Sequence, residues 1–479
     1  MLRPHQQKSM DMLRQSIRKG NSRIILAAPC SFGKTRVAVE ILKSAASKGK
    51  MGIFICDRVK LVNQALEEFD RAGISCGVMQ ADHWRTNPNA QIQIASIQTL
   101  ARRRYKPLFH VAVVDECHTH YQTTTELMQN YSKSTFIGLS ATPYSKGLGK
   151  HYTDLIVPIT PRQLLDQNYL TPVRYFGGNH ANLKGVKKRR LSTGQMDYDP
   201  KSLSDATDKD QKLVGDIVAN FQKFGKGQTI AFSPSIKHSK KLVEMFQQEG
   251  FTAEHIDGYM DQEEREILYE GHDNGDFQIL SCSRLLNTGY DAPQVETLID
   301  CFPTKSLTTY IQRAGRIMRT HPNKVESIYL DHSGNVQWHG FAEDCVPDEL
   351  DSGDKEYNER QLTKEKKESE LALCPVCFQH FLIRCACGYS RPSKEVLRSD
   401  DQTLKEITMA DKAKWLGELR FYAKKKGYKD GWVSHTYKSK FGVWPKVQAQ
   451  PAIHVSDEIK NYITHINIRN RKRVKRHLA

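Results

Sequence analysis

Two stretches of the chain alternate short, continuous apolar runs with segments of helical periodicity. The runs are too short for helices and lack polar alternation, so they predict strands buried on both faces of a parallel sheet. In residues 1–165 the predicted strands are 23–28, 51–56, 91–95, 111–115 and 135–139. In residues 211–345 they are 229–233, 252–256, 277–282, 297–300 and 327–330. The sequence therefore predicts an α/β fold with two doubly wound parallel-sheet domains in tandem.

The remaining segments are polar or basic. Residues 166–210 predict an interdomain linker or insertion whose basic run is either a solvated face or a phosphate contact, and residues 346–371 predict a charged linker. Residues 401–479 contain 18 Lys and Arg against 7 Asp and Glu, and the whole chain has a net charge of +17. This balance favours a polyanionic partner, either nucleic acid or an acidic membrane surface. Because we find neither a membrane-spanning apolar run nor a signal peptide, we expect a cytoplasmic protein without a membrane partner.

A phosphate-binding loop is predicted at residues 28–35 (APCSFGKT), between a predicted strand and a predicted helix. Gly33 lets the backbone approach phosphates, which the N–H groups at the helix start would bind. We expect Lys34 to reach the β- and γ-phosphates of ATP, and the Thr35 hydroxyl to ligate Mg²⁺. Ala28 stands at the first position, where glycine is usual. The alternative is an ordinary strand-to-helix turn.

Two carboxylates follow the predicted strand 111–115. In a parallel sheet, ligands bind beyond the carboxyl ends of the strands. We therefore expect Asp115 to hold Mg²⁺, and Glu116 to orient and deprotonate the attacking water. The alternative is a helix-capping Asp-Glu pair.

Four cysteines cluster where metal-ligand spacing is found. Two short pairs separated by seven residues suit tetrahedral Zn²⁺ in a small module at 372–392, with ligands Cys374, Cys377, Cys385 and Cys387. His380 is an alternative fourth ligand, and free or redox-active cysteines are the alternative interpretation. In the basic, mainly helical region 401–479, we expect the lysines to contact phosphate. Trp415, Trp432 and Trp444 are more typical of the core of a helical module there.

These motifs and their order resemble the superfamily 2 helicases and translocases of the DEAD/DEAH type, which have two RecA-like domains. Besides the phosphate loop and the DECH sequence at 115–118, the resemblance includes LRPHQ at 2–6, CDR at 56–58, SIQTL at 96–100, SAT at 140–142, the segment 230–235, NTGYDAP at 287–293 and QRAGRIMR at 312–319.

The resemblance implies roles for individual residues of this chain. Gln6, with Arg3, would read adenine, Asp291 would lie near the ribose, and Gln312 would join the nucleotide site. Ser140 and Thr142 would couple hydrolysis to domain motion. The residues implied in nucleic-acid contact are Arg58, Gln98, Thr99 and Thr288.

Three arginines, Arg313, Arg316 and Arg319, follow one another at a spacing of three, which places them roughly on one side of a helix. Planar guanidinium groups suit a charged phosphoryl transition state, so we expect Arg316 and Arg319 to be catalytic. Since they lie in the second domain, catalysis would require domain closure. The alternative is a basic surface helix.

Within this superfamily the chain is most similar to RadD-type (YejH-like) helicases, through LRPHQQ at 2–7, YLTP at 169–172, the run 303–319 and LDHSGN at 330–335. The C-terminal aromatic pattern resembles the tails of phage and prophage helicases. The resemblance implies an ATP-dependent DNA helicase or translocase of replication, recombination or repair in a bacterial or phage-infected cell, using ATP, Mg²⁺ and Zn²⁺. DNA and replication or recombination proteins would be its partners. The alternatives are an RNA helicase of the same superfamily, a zinc-containing DNA-binding factor with a weak or inactive ATPase, and the motor subunit of a restriction system.

Overall fold

The computed structural model describes residues 2–57, 59–81, 83–177, 183, 185–191, 196–207, 212–283, 285–287, 290, 292–347, 349–353, 372–373, 380–381, 405–407, 409–441, 444–445, 448–456, 459–460 and 463. The chain divides into two compact units, Met1–Gly353 with Leu404–Glu406, and Asp354–Thr403 with Ile407–Ala479. Among the helices of the described residues, none combines the length and the apolar character that a membrane crossing requires.

The first domain is built on a seven-stranded, all-parallel sheet in the order β3-β4-β2-β5-β6-β1-β7. Its strands are β1 (Arg23–Ala27), β2 (Gly52–Cys56), β3 (Gly77–Met79), β4 (Ile92–Ser96), β5 (Val111–Val114), β6 (Thr135–Ser140) and β7 (Asp154–Ile156). Its helices are α1 (Pro4–Arg18), α2 (Lys34–Ala46), α3 (Val59–Arg71), α4 (Ile97–Arg102) and α5 (Gln122–Asn130). The apolar runs form these strands because helices cover both faces, so that β2 and β4 are buried along their whole length.

The second domain repeats the parallel architecture. Its strands join in the order β12-β13-β11-β14-β15-β8, and the short strand Lys405–Ile407 lies beyond β8. The strands from residue 173 are β8 (Val173–Gly177), β9 (Lys188–Arg190), β10 (Met196–Tyr198), β11 (Thr229–Phe232), β12 (Ala253–Ile256), β13 (Ile279–Cys282), β14 (Thr297–Asp300) and β15 (Ser327–Asp331). The helices are α6 (Pro161–Asp166), α7 (Pro200–Thr207), α8 (Lys212–Phe224), α9 (Ile236–Gln248), α10 (Gln262–Asn274), α11 (Leu307–Ile317) and α12 (Asn335–His339). The prediction of two parallel-sheet α/β domains is therefore confirmed.

The prediction that residues 166–210 form a linker or insertion is wrong for residues 173–177. Strand β8 lies within that range, yet it pairs in parallel with β15 and buries Tyr175 and Phe176. The segment after it is not a plain loop either, because β9 and β10 form an antiparallel hairpin. Asp197 in that hairpin accepts hydrogen bonds from the Thr304 hydroxyl (2.8 Å) and the Lys305 N–H (2.8 Å) of the second domain. Part of the predicted linker is therefore a component of the second domain.

The start of the predicted charged linker 346–371 also has a defined position. Residues 349–353 lie against the first domain, where Leu350 packs on the hydrophobic core. The Asp351 carbonyl accepts a hydrogen bond from Gly149 N (2.8 Å), and its carboxylate accepts one from Gly147 N (3.1 Å). The chain therefore returns to the first domain after completing the second one.

The second unit has a helical core built on α13 (Met409–Lys426) and α14 (Asp430–Phe441). Close packing leaves no room for a side chain at Gly417, where an added Cβ would lie 1.7 Å from the Gln450 carbonyl oxygen. A two-stranded antiparallel sheet joins Ala372–Leu373 to His380–Phe381. The buried core residues are Trp415, Leu416, Leu419, Ala423, Val433, Tyr437, Val455, Ile459 and Ile463.

Candidate active site

The predicted ATP-site motifs of the first domain converge at one edge of its sheet. The phosphate loop follows β1, Asp115 follows β5, and Ser140 ends β6, which lies between those two strands. Because all three strands are parallel, their carboxyl ends meet at the same edge. The topology therefore brings together three motifs that are far apart in sequence.

The phosphate loop has the backbone conformation that its sequence predicts. Gly33 precedes α2 with a φ of +83°, in the left-handed region that favours glycine, and Ser31 has a φ of +60°. A Cβ at Gly33 would lie 2.4 Å from Gln6 Nε2. Ala28 is fully buried and has no positive φ, so alanine is accommodated there without strain. Thr35 occupies the first turn of α2, next to Lys34.

The N-terminal helix holds this loop through Gln6. The Gln6 amide Nε2 donates to the Phe32 carbonyl (2.9 Å), and its Oε1 accepts from Arg3 N (2.9 Å). Each amide atom retains capacity for one more hydrogen bond, and adenine offers a matching donor and acceptor at N6 and N7. The Arg3 guanidinium lies 4.8 Å from the ring of Tyr169. Both residues predicted to read adenine therefore adjoin the phosphate loop, together with an aromatic ring.

Lys34 is ion-paired with Glu116, and Asp115 lies beside the pair. Burial opposes the charge of Lys34, but the attraction of Glu116 and Asp115 outweighs it and raises the Lys34 pKa. Burial also opposes the charge of Glu116, but Lys34 and His118 outweigh it and lower the Glu116 pKa. Burial, together with the adjacent Glu116, raises the pKa of Asp115. The Lys34 charge is thus shared by two carboxylates.

The carboxylates have features typical of a catalytic cation site. Asp115 Oδ1 is buried and accepts no hydrogen bond from any described residue. Glu116 has a φ of +44°, a strained conformation for a residue with a side chain. A buried, unsatisfied carboxylate oxygen suits Mg²⁺, which prefers oxygen ligands. In the described part of the chain, no group of three or more His, Cys, Asp or Glu residues could hold a metal by itself.

His118 connects Glu116 to the predicted coupling motif and to the second domain. Its Nδ1 lies 3.2 Å from Glu116 Oε2 and 2.9 Å from the Ser140 hydroxyl. The same hydroxyl accepts a hydrogen bond from Thr142 N (3.0 Å). On its other side, His118 Nε2 lies 3.4 Å from Gln312 Nε2. One buried imidazole thus links the carboxylate, the 140–142 segment and helix α11.

Helix α11 meets the phosphate loop directly at Gly315. A Cβ at that position would lie 2.3 Å from Cys30 Sγ, so only glycine permits this contact. At the next residue, Arg316 Nη1 donates to the Tyr290 carbonyl. Burial lowers the pKa of Arg319, and the nearby Cys30 opposes that shift. Because a half-buried guanidinium gains from an anionic ligand, this edge of α11 suits a phosphate.

The three arginines do not share one role, which corrects the prediction that they lie on one side of the helix. Arg313 is 1% exposed and points into the second domain. Its guanidinium pairs with Asp300 Oδ1 (3.1 Å), donates to the Phe302 carbonyl (2.7 Å) and lies 5.1 Å from the Phe232 ring. Arg313 therefore stabilises the second domain, whereas Arg316 lies in the last turn of α11 and Arg319 follows two residues after the helix ends, near Cys30 of the first domain.

A buried lysine, Lys324, lies close enough to Arg319 for their charges to interact. Lys324 is 8% exposed and its Nζ donates to the Pro293 carbonyl (3.2 Å). Burial lowers the pKa of Lys324 to about 7, because the opposing attraction of Glu296 is too weak and the charge of Arg319 adds to the shift.

The predicted nucleic-acid residues are described in part. Ser96 caps α4 by accepting from Thr99 N (3.1 Å), and the Thr99 hydroxyl accepts from Ala81 N (3.3 Å). Gln98 is exposed and donates to the Asp57 carbonyl, so the segments after β2 and β4 are connected. The remaining predicted residues outside the described part are Arg58, Thr288, Asp291 and the cysteines Cys374, Cys377, Cys385 and Cys387.

The structure places three residues in this region that were not among the predicted site residues. His118 follows the two carboxylates, and Tyr169 begins the YLTP segment, so the motifs contained a signal for both. Tyr290 lies in the NTGYDAP motif, where its hydroxyl contacts Asp273 Oδ1 (2.7 Å) and His272 Nδ1 (2.7 Å). Its carbonyl is the acceptor for Arg316. Nothing in the local sequence indicates that long-range contact.

Two family models match the chain. Residues 1–145 match the family described as "Type III restriction enzyme, res subunit". Residues 210–321 match "Helicase conserved C-terminal domain". Between them, the two matches contain the phosphate loop, both carboxylates and helix α11.

Curated proteins and solved structures resemble the chain over 70–74% of its length. A "51.5 kDa protein" of a Lactococcus phage is 27% identical over 74% of this chain and 74% of its own length. The "Putative ATP-dependent helicase IRC3" of Saccharomyces cerevisiae is 23% identical over 70% of the chain, which spans 52% of that relative. The DNA-bound Type ISP restriction-modification enzyme LlaBIII superposes with a TM-score of 0.54 at 17% identity, over 70% of this chain and 28% of that one. A fragment of a putative type I HsdR subunit from Vibrio vulnificus gives a TM-score of 0.55 at 19% identity, over 73% of this chain and 67% of that one.

The solved structures show a shared fold, and the two family matches cover both halves of a helicase core. The sequence motifs lie where those halves meet, at Lys34, Glu116 and Gly315. The chain therefore belongs to helicase superfamily 2 and is an ATP-hydrolysing enzyme of the helicase type.

Proposed function

We propose that this chain is an ATP-dependent DNA translocase or helicase that remodels DNA in replication, recombination or repair. One observation carries the proposal: α11 of the second domain lies against the phosphate loop that adjoins Lys34, Asp115 and Glu116. An ATP site assembled from two domains changes when they move apart. Hydrolysis and domain motion are therefore coupled, which is what a motor requires.

The residues divide the chemistry between them. Lys34 binds the phosphates once it leaves Glu116, and Glu116 then orients and deprotonates the attacking water. Thr35 and Asp115 would hold Mg²⁺, which neutralises phosphate charge when bound. Arg316 and Arg319 stabilise the charge that develops on the transferred phosphoryl group. Arg3 and Gln6, with Gln312 across the cleft, orient the nucleotide, and Asp291 adds a ribose contact.

His118 provides a physical route from hydrolysis to motion. It contacts Glu116, Ser140 and Gln312, so a change at the carboxylate alters hydrogen bonds that reach the second domain. Ser140 and Thr142 are buried, so they do not act on a ligand at the surface. Their proposed role is to hold the His118 imidazole in place beside the Glu116 carboxylate.

Several observations favour DNA over RNA. One structural neighbour is a restriction-modification enzyme bound to DNA, and one family model describes a restriction subunit. The resemblance to RadD-type helicases also favours DNA, and the phage relative favours a phage or bacterial setting. Nucleic acid would contact Gln98 and Thr99, together with Arg58 and Thr288. We further propose that Cys374, Cys377, Cys385 and Cys387 bind one Zn²⁺.

The test is steady-state ATP hydrolysis with single-stranded, duplex and forked DNA and with RNA. We expect stimulation by a DNA form, and a loss of about 10²–10⁴-fold in Glu116→Gln. Lys34→Ala should also be inactive, and Glu126→Gln, an exposed carboxylate of α5, serves as the matched control. Stimulation by RNA alone would overturn the DNA assignment. DNA binding without stimulated hydrolysis would favour a binding factor instead.

A further inference from the structure

The outer face of α14 presents aromatic and cationic side chains in a row. Trp432, His435 and Lys438 follow at a spacing of three, so they lie along one side of the helix. At one end, the Tyr428 ring centroid lies 4.8 Å from that of Trp432. At the other end, Trp444 lies 5.0 Å from His435 and 4.6 Å from Lys438 Nζ. We call these five residues the aromatic stripe.

The stripe is not needed to fill the core of its unit. That core already contains Trp415, Val433 and Tyr437, which are buried. By contrast, Tyr428 is 41% exposed and Trp444 is 44% exposed. The expectation that all three tryptophans form a core is therefore right for Trp415 and wrong for Trp444, while Trp432 is half-buried at the edge.

Positive charge surrounds one end of the stripe. Lys424, Lys425, Lys426 and Lys429 are exposed around the turn that joins α13 to α14, on either side of Tyr428. Within the described part of the chain, Lys424, Lys425 and Lys429 make no ion pair. A helix C-terminus attracts lysine by its dipole, which accounts for the last turn of α13. The dipole does not account for exposed aromatic rings beside those lysines.

We infer that the aromatic stripe is a single-stranded DNA site, separate from the ATP site. Aromatic rings accept any base by stacking, and neighbouring lysines bind the phosphates, which is how strands are bound without sequence preference. Trp444 contacts His435 and Lys438, which follow Trp432 by about 4.5 and 9 Å along the axis of α14 at 1.5 Å per residue. The stripe therefore offers stacking surfaces for a run of two or three nucleotides. The inference rests on the proposed function only for the choice of DNA as the polymer.

The binding test uses the full chain without ATP, so its outcome is independent of hydrolysis. Binding of fluorescein-labelled oligo(dT) is followed by anisotropy, with quenching of tryptophan fluorescence as the readout of stacking. Because base–aromatic stacking contributes about 1–3 kcal/mol per base, Trp432→Ala with Trp444→Ala should raise Kd by at least tenfold. Trp432→Phe with Trp444→Phe should keep most of the affinity, and basal ATP hydrolysis should not change.

Two controls make the result specific. Trp84→Ala removes a tryptophan that is 80% exposed in the other unit and should leave oligo(dT) binding unchanged. Trp444→Ala alone removes an exposed ring with little risk to folding, and should weaken binding about severalfold. Wild-type affinity in the double alanine variant, or tighter stripe-dependent binding of oligo(rU), would overturn the inference. If the wild-type chain binds oligo(dT) through the aromatic stripe but DNA does not stimulate its ATP hydrolysis, the proposed function is refuted and the inference stands.

Discussion

The ion pair between Lys34 and Glu116 predicts that the glutamate competes with ATP for the lysine. The Lys34 and Glu116 side chains are only 19% and 26% exposed. Lys34 must leave Glu116 before its charge serves the phosphates. We therefore expect Glu116→Gln to bind ATP more tightly than the wild type, although it no longer hydrolyses it.

The size of the effect follows from the geometry of the pair. Hydrogen bonds to charged groups contribute about 1.5–3 kcal/mol, and surface ion pairs about 0–1 kcal/mol. A partly buried pair lies between these limits, at about 1–2 kcal/mol. This corresponds to a Kd for ATP that is about 5–30-fold lower.

The assay is equilibrium binding of a slowly hydrolysed ATP analogue with Mg²⁺. Removing a negative charge from the site also favours binding, so the double variant Lys34→Ala with Glu116→Gln separates the two causes. If competition is the cause, the gain from Glu116→Gln largely disappears when Lys34 is already alanine. An unchanged or higher Kd in Glu116→Gln would refute the reasoning.

Three further outcomes are expected. Gly315→Val should abolish ATP hydrolysis while analogue binding persists, and Cys30→Ala should restore part of the rate because its sulfur is the nearest obstacle. Lys324→Met should raise stability by up to about 5 kcal/mol below pH 7. This gain should fade by pH 10.5, because the unfolded chain binds the additional proton between the folded pKa of about 7 and the ordinary 10.5; a gain independent of pH would contradict it. Metal analysis should find about one zinc per chain, and Cys374→Ser with Cys377→Ser should abolish it.

The long strands were predictable because burial on both faces leaves a continuous apolar run. The three-residue strands β3 and β7 and the five-residue strand β8 were not predicted. Three of the five residues of β8 are buried, but it joins its sheet through pairing with β15, more than 150 positions later in the chain. Local patterns carry no information about such partners. The same limit explains the assignment of β8 to a linker.

The candidate active site could likewise be predicted only in part. The positions of Gly33, Lys34, Asp115 and Glu116 at one edge of the sheet were predictable, because all four follow strands of one parallel sheet. Arg313, Arg316 and Arg319 have equal spacing and equal chemistry, so sequence could not separate Arg313 from the others. Its partner Asp300 lies in the second sheet, and only the fold brings the two together.

The return of residues 349–353 to the first domain gives the two helicase domains a second covalent attachment. The chain leaves the first domain before β8 and comes back at Asp351, so the second domain is the interior of a closed loop. A body held at two points rotates about the line that joins them, and most other directions are restrained. This arrangement raises the effective concentration of α11 at the phosphate loop and lowers the entropy lost when the cleft closes. Each ATP cycle would then rotate the two domains about nearly the same axis.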